Sequence, residues 1–328
     1  MQALWLEDKT LTLRDHVPVP SVPPGSVLIQ VLLAGICGTD LELVKGYYPY
    51  RGVPGHEFVG KVVKAPGRPS WVGQRVVGEI NIACGMCKAC CTGLRTHCEK
   101  RTVLGIVNHD GAFAEYVTLP LENLHRVPRS IPDEAAVFTE PLAAALQIGH
   151  QVQLRPTDRV LIVGAGRLGQ LVAQVLALTG CELQIVARHE TQRALLAGCN
   201  ITPTTEDAVP CQKMDVVVEA TGSPSGFSLA LQAVRPRGKI VLKSTYSGSV
   251  EVNFSSIVVN EITLVGSRCG PFASALRLLA GGVVDPTPLI VSRYPLSKAL
   301  TAFEHASQPG VLKVLLEPTS RLELVKTQ

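Results

Sequence analysis

The run VLIVGAGRLGQLVAQVLALTG, residues 160–180, constrains what this chain can fold into more than any other stretch. Arg159 to Val163 reads as a short buried strand. After a glycine-rich turn, Leu168, Leu171, Val172, Val175 and Leu176 recur at i, i+3, i+4, i+7 and i+8, which is one face of a helix. Strand-like runs follow at ELQIVA, DVVVEA, KIVLKS and ITLVGS, with helix-compatible SGFSLALQAV among them. Alternating strands and helices predict an α/β fold with a parallel, doubly wound sheet over about residues 146–268.

The flanks read differently. Residues 1 to about 140 hold short apolar runs, SVLIQVLLAG, EFVGKVV and AFAEYVTL, split by Gly and Pro, so this part is expected to be β-rich. The last sixty or so residues offer two helix candidates, FASALRLLAGG and LSKALTAFEHAS, and a final strand, VLKVLLEP. A chain of 328 residues exceeds one typical core and suggests two domains. Net charge is only +4, with no run of Lys or Arg to concentrate it, which argues against nucleic acid and anionic membrane surfaces as partners. The N-terminal MQALWLEDKTLTLRD has no signal-peptide core, and no apolar run reaches the roughly 20 residues that span a bilayer. The expectation is a soluble, cytoplasmic protein.

The turn after the first strand places Gly164, Gly166 and Gly169 in G-x-G-x-x-G spacing. The first glycine makes the tight turn, the second lets a pyrophosphate reach the helix N-terminus, and the third lets helix and strand approach. A helix start without a ligand is the alternative. An NAD site usually carries Asp or Glu about 20 residues on, to bind the adenosine ribose. Here Arg188 stands at that place, followed by His189 and Arg193. A carboxylate would repel a 2′-phosphate, whereas a guanidinium can grip it with two hydrogen bonds. NADP(H) is therefore expected over NAD, the alternative being that these are solvated residues at a helix start. The expected cofactor contacts are Gly164, Gly166, Arg167, Leu168, Gly169, Arg188, His189, Arg193, Thr221 and Arg268.

Five of the ten cysteines fall within CGMCKACCTGLRTHC, residues 84–98. Cys84, Cys87, Cys90 and Cys98 are spaced C-x2-C-x2-C-x7-C, which lets one loop wrap a tetrahedral ion. Four thiolates around Zn²⁺ leave a formal charge near −2 and no open position, so such a site is a clamp and a poor electrophile. Disulfides are the alternative, disfavoured without a secretory signal. His97 could compete as a ligand, and Cys91 is one thiol too many. Cys181, Cys199, Cys211 and Cys269 are dispersed and read as packing residues.

AGICGTDLEL supplies Cys37, Thr39 and Asp40, GVPGHEFVG supplies His56 and Glu57, and VFTEPLAAAL supplies Glu140. None of these forms a metal motif by spacing, and each alone is more often structural. In order, however, GICGTD, GHE, the cysteine lobe, EPLA and GxGxxG resemble the zinc-containing medium-chain dehydrogenase/reductase family of alcohol, polyol, threonine and glucose dehydrogenases. The resemblance covers nearly the whole chain and extends to GAFAEYV, GSRCG and GVLKVLLEP.

That resemblance implies an oxidoreductase with a GroES-like catalytic domain in two segments, residues 1–145 and 269–328. A Rossmann domain, residues 146–268, is inserted between them, with substrate, zinc and cofactor meeting in a cleft. It implies two zinc ions per chain. Cys84, Cys87, Cys90 and Cys98 hold the structural one. Cys37 and His56 bind the catalytic one, with Glu140 at the third ligand position and Glu57 able to ligate or exchange. Such a shell is formally neutral and leaves one position open, which suits a Lewis acid. Thr39 matches the hydroxyl that passes the substrate proton, and Asp40 a carboxylate that orients the histidine. Glu42 stands where many relatives end the relay with His. The implied substrate is a small alcohol, polyol, sugar or aldehyde, with a glucose-type or polyol dehydrogenase as the specific alternative. A homodimer or homotetramer is implied as well. A cofactor-binding protein without catalysis is the reading of another class.

Overall fold

The computed structural model describes residues 1–199, 201–245 and 249–318. The chain folds as two compact units, Met1–Glu140 with Phe272–Gln328, and Pro141–Pro271.

The first unit is built on a seven-stranded sheet. Its strands run in the order Ile290–Pro295, Lys313–Glu317, Ser26–Gly35, Glu57–Lys64, Arg75–Gly78 and Leu124–Arg126, and Tyr116–Pro120 also pairs with Ser26–Gly35. All pairs are antiparallel except Ile290–Pro295 with Lys313–Glu317. In the central strand Val27, Ile29, Val31 and Leu33 point into the core, as a period of two requires. Burying each such side chain contributes about 1.5–3 kcal/mol. A one-residue slip would turn all four to the other face, so the register is strongly held. Gly35 lies opposite Glu57 on one side and Leu315 on the other. That register brings together three segments far apart in sequence: the turn after Gly35, the start of the Glu57 strand, and the Lys313 strand.

The second unit is a six-stranded, all-parallel sheet. Its order is Thr202–Thr204, Glu182–Val186, Arg159–Val163, Met214–Glu219, Val234–Leu242 and Thr263–Gly266. The first strand in sequence lies mid-sheet and the order reverses on either side of it, which is the doubly wound arrangement. Val160, Leu161, Ile162 and Val163 are all buried, because helices cover both faces of such a sheet. Helices Arg167–Ala177, Glu190–Gly198 and Pro224–Ala233 lie between strands. The α/β class and the sheet type agree with the sequence expectation. Among the elements not anticipated, two stand out. The strand Thr202–Thr204 contains a proline and no apolar run, and serves as the sheet edge, where a missing N–H is tolerated. The helix Gly38–Lys45 interrupts a segment expected to be β-rich.

Candidate active site

Cys37 ends the chain's departure from the central strand and caps the helix Gly38–Lys45. Its backbone N–H donates to Oδ2 of Asp40 at 2.8 Å. This bond fixes the carboxylate of Asp40, whose other oxygen lies 3.2 Å from Nδ1 of His56. The two atoms do not meet hydrogen-bond geometry, so both are buried without a partner that satisfies them. Asp40, His56 and Glu57 are all buried, while Cys37 and Thr39 are half-buried on the same turn.

One donor atom each from Cys37, His56 and Glu57 lies within 4.8 Å of the other two. Tetrahedral zinc with Zn–S near 2.3 Å and Zn–N near 2.0 Å spaces its donors by about 3.4–3.8 Å, so this cluster fits an ion. Chemistry agrees with geometry: a thiol, an imidazole and a carboxylate converge where each can face one cation. Burial by itself lowers the pKa of His56, but the charges of Asp40 and Cys37 outweigh it and hold the imidazole well above its usual value. The pocket therefore favours positive charge at this position.

Glu140 stands in the first turn of the helix Thr139–Gln151, outside the three-donor cluster. Glu57 is inside it, but its Oε2 also accepts from Nζ of Lys313. Lys313 is buried, over the ring of Phe138 with Nζ 5.5 Å from the centroid. Gly35 leaves room for the pair: a Cβ there would stand 2.7 Å from Oε2 of Glu57 and 3.3 Å from Cδ of Lys313. Sequence reasoning missed Lys313; its only signal is a lysine inside the apolar strand VLKVLL. Glu42 pairs with Lys45 at 2.8 Å on the same helix.

In the cysteine lobe, donor atoms of Cys84, Cys87, Cys90 and Cys98 lie within 4.8 Å of one another. Sγ of Cys87 is 3.4 Å from that of Cys90 and 3.8 Å from that of Cys98. These are edges of a zinc tetrahedron and are too long for the S–S bond of about 2.05 Å. All ten cysteines are free thiols. The N–H of Cys84 donates to Sγ of Cys98 at 3.3 Å. Backbone amides of Glu99 and Cys90 draw the Cys87 thiol down to about 6, and those of Met86 and Cys87 lower Cys84. Burial and the neighbouring thiols push Cys90 up to about 12. Four sulfurs this close cannot all ionise without a cation among them, and the donor set fits a dication. His97 and the exposed Cys91 lie outside the set; Sγ of Cys91 instead faces the carbonyl of Met86 at 3.7 Å.

The second unit carries a groove at the C-terminal ends of its strands. Gly164, Ala165, Gly166, Arg188, His189, Gln192, Glu206, Thr221 and Gly226 are among its lining residues. Gly164 has φ +106°, and a Cβ on Gly169 would lie 1.9 Å from the Gly164 carbonyl oxygen, so both positions need glycine. Gly166 caps the helix that begins at Arg167. Thr221 donates through its N–H and hydroxyl to Glu219. Arg193 is turned away from the lining: it donates to the Ala187 carbonyl at 3.0 Å and pairs with Glu190. Arg167, Leu168, Gly169 and Arg268 are not among the lining residues either. Gln192 and Glu206 are, and sequence reasoning did not single them out.

Residues 23–129 match the alcohol dehydrogenase GroES-like domain, and residues 168–281 match the zinc-binding dehydrogenase domain. L-threonine 3-dehydrogenase of Pyrococcus horikoshii is 34% identical over 318 residues, covering 89% of each chain. The chain belongs to the zinc-containing medium-chain dehydrogenase/reductase family. It is an oxidoreductase of the alcohol dehydrogenase type, and its family uses zinc, a nicotinamide cofactor and small alcohol-type substrates. Two solved structures share the fold over 97% of this chain and 99% of theirs. One is a candidate zinc-binding dehydrogenase from Sinorhizobium meliloti 1021 bound to NADP, at 28% identity and TM-score 0.88. The other is an alcohol dehydrogenase from E. coli CFT073 complexed with NADH, at 27% and 0.87.

Proposed function

We propose that this protein is a zinc-dependent dehydrogenase that transfers hydride between an alcohol or carbonyl substrate and NADP(H). The observation that carries the reading is the convergence of Cys37, His56 and Glu57 beside the Asp40 carboxylate. When bound, zinc supplies a Lewis acid toward the substrate oxygen and the nicotinamide supplies or takes the hydride. Cys37 and His56 hold the metal, with Glu57 or Glu140 completing the shell. Asp40 faces Nδ1 of His56 and so leaves the other ring nitrogen for the ion. Thr39 passes the substrate proton, and Glu42 receives it or hands it to water. Cys84, Cys87, Cys90 and Cys98 close a second, structural zinc site.

The catalytic domain comprises residues 1–145 and 269–328, and the dinucleotide-binding domain residues 146–268. Gly164 and Gly166 meet the pyrophosphate at the helix N-terminus. Arg188, with His189 beside it, takes the adenosine 2′-phosphate; its place in the groove lining supports NADP(H). A homodimer or homotetramer is supported by the exposed apolar residues Phe254, Val258 and Val259 near the edge strand Thr263–Gly266. Free cysteines suit the reducing cytoplasm, and no helix among the described residues is long and apolar enough to cross a membrane.

The test is a panel of alcohols, polyols, aldoses, aldehydes and L-threonine, assayed with NADP⁺ and NAD⁺ separately. Zinc-dependent turnover with NADP⁺ favoured is expected. A clear NAD⁺ preference would overturn the assignment of Arg188.

A further inference from the structure

Arg188 is not alone in the groove. Strands Glu182–Val186 and Thr202–Thr204 run parallel, with Val186 opposite Thr204. The N–H of Ala187 continues the pairing to the Thr204 carbonyl at 3.1 Å. Two residues beyond the paired positions, the chain places Arg188 on one strand end and Glu206 on the next. Glu206 opens a short turn, Glu206–Ala208. Nε of Arg188 donates to Oε1 of Glu206, and both residues line the groove that begins at Gly164. A guanidinium offers two forks of donors. The Nε position of one is already committed to a carboxylate. The nearby Arg193 is paired with Glu190 and the Ala187 carbonyl, so it does not offset Glu206.

We propose that Glu206 is a specificity-determining residue for the cofactor, acting against Arg188. This rests on the reading of the groove as the adenosine-ribose site for NADP(H). A 2′-phosphate brings up to two negative charges beside the Glu206 carboxylate and competes with it for Arg188. A ribose 2′-hydroxyl is a donor, and the same carboxylate accepts from it. The arginine thus favours the phosphorylated dinucleotide and the glutamate the unphosphorylated one. Discrimination is set by the pair, and the protein binds both cofactors with a tempered preference for NADP(H). Glu206 is half-exposed, at 44%, so the effect is a few-fold and salt-sensitive.

Binding of adenosine 2′,5′-bisphosphate and of 5′-AMP to the full-length, zinc-loaded protein isolates this half of the site. Calorimetric titrations of wild type, Glu206→Gln, Glu206→Ala and Arg188→Ala give the ratio of the two dissociation constants. Glu206→Gln is expected to tighten the bisphosphate about three- to tenfold and to leave 5′-AMP within about twofold, because the amide oxygen still accepts. Raising salt should shrink the difference. Arg188→Ala is expected to weaken the bisphosphate selectively. A merely structural role for Glu206 would move both ligands, or the melting temperature, and not their ratio. If both Glu206 variants keep the wild-type ratio while Arg188→Ala loses it, the inference is wrong and the NADP(H) reading stands. If Arg188→Ala also keeps the ratio, the NADP(H) reading falls and takes the inference with it.

Discussion

The two sulfur-bearing clusters of the first unit are assembled in opposite ways. Cys84, Cys87, Cys90 and Cys98 come from fifteen consecutive residues, and their sulfurs are mostly half-buried on a loop that wraps them. Cys37, His56 and Glu57 come from two strand ends held side by side by a sheet, and Asp40 and Lys313 support them from a helix and a third strand. The first set is chemically uniform and crowded, with thiols pulled apart in acidity until a cation joins them. The second mixes thiol, imidazole and carboxylate in a buried pocket, where an added cation can also face a substrate oxygen. On the proposed reading, the local loop makes a closed clamp and the sheet register an open, reactive site.

Substitution at Cys37 is the hardest test of that contrast. Cys37→Ser is expected to lower kcat/KM by about a thousandfold or more, the Lewis-acid contribution, with the fold retained by circular dichroism. Wild-type-like turnover in this variant would defeat the proposed mechanism. Lys313→Met probes the support beneath the reactive cluster. It leaves Glu57 buried with an uncompensated charge, and urea unfolding should show a loss of about 3–5 kcal/mol. Adding Glu57→Gln should restore much of it; no recovery in the double variant means the pair is not what holds this strand end.

The clamp is expected to respond in stability first. Cys98→Ser should reduce metal content from about two zinc per chain to about one, and lower the thermal midpoint by about 5–10 °C. A loss of activity with full zinc content and an unchanged midpoint would erase the distinction between the clusters. Smallest of all is Cys91→Ser, which should leave zinc content, midpoint and turnover unchanged. A lost zinc there would make Cys91 a ligand and redraw the tetrahedron.

Much of this was legible in the chain because the signals are local. The Arg159–Val163 strand, its glycines and the following helix form one continuous pattern, since a dinucleotide-binding turn is made by consecutive residues. The cysteine lobe is read from spacing for the same reason. Cys37, His56 and Glu140 became visible as a set only through the resemblance, because nothing in their spacing couples them. Lys313 and Glu206 were not singled out. A lysine in an apolar strand and a glutamate after Thr-Pro-Thr-Thr look like ordinary surface charges.

What the sequence by itself determined is therefore the fold class and the thiol- and glycine-rich motifs, carried by periodicity or by contacts between near neighbours, and the family, carried by the resemblance of its ordered motifs. Only the tertiary structure decided that Glu57 shares its carboxylate with Lys313 and that Glu206 holds Arg188. Each of those pairings depends on which strand lies beside which, and in what register. Charge pairing falls off over a few ångströms, so partners far apart in sequence cannot be named until the sheet has placed them.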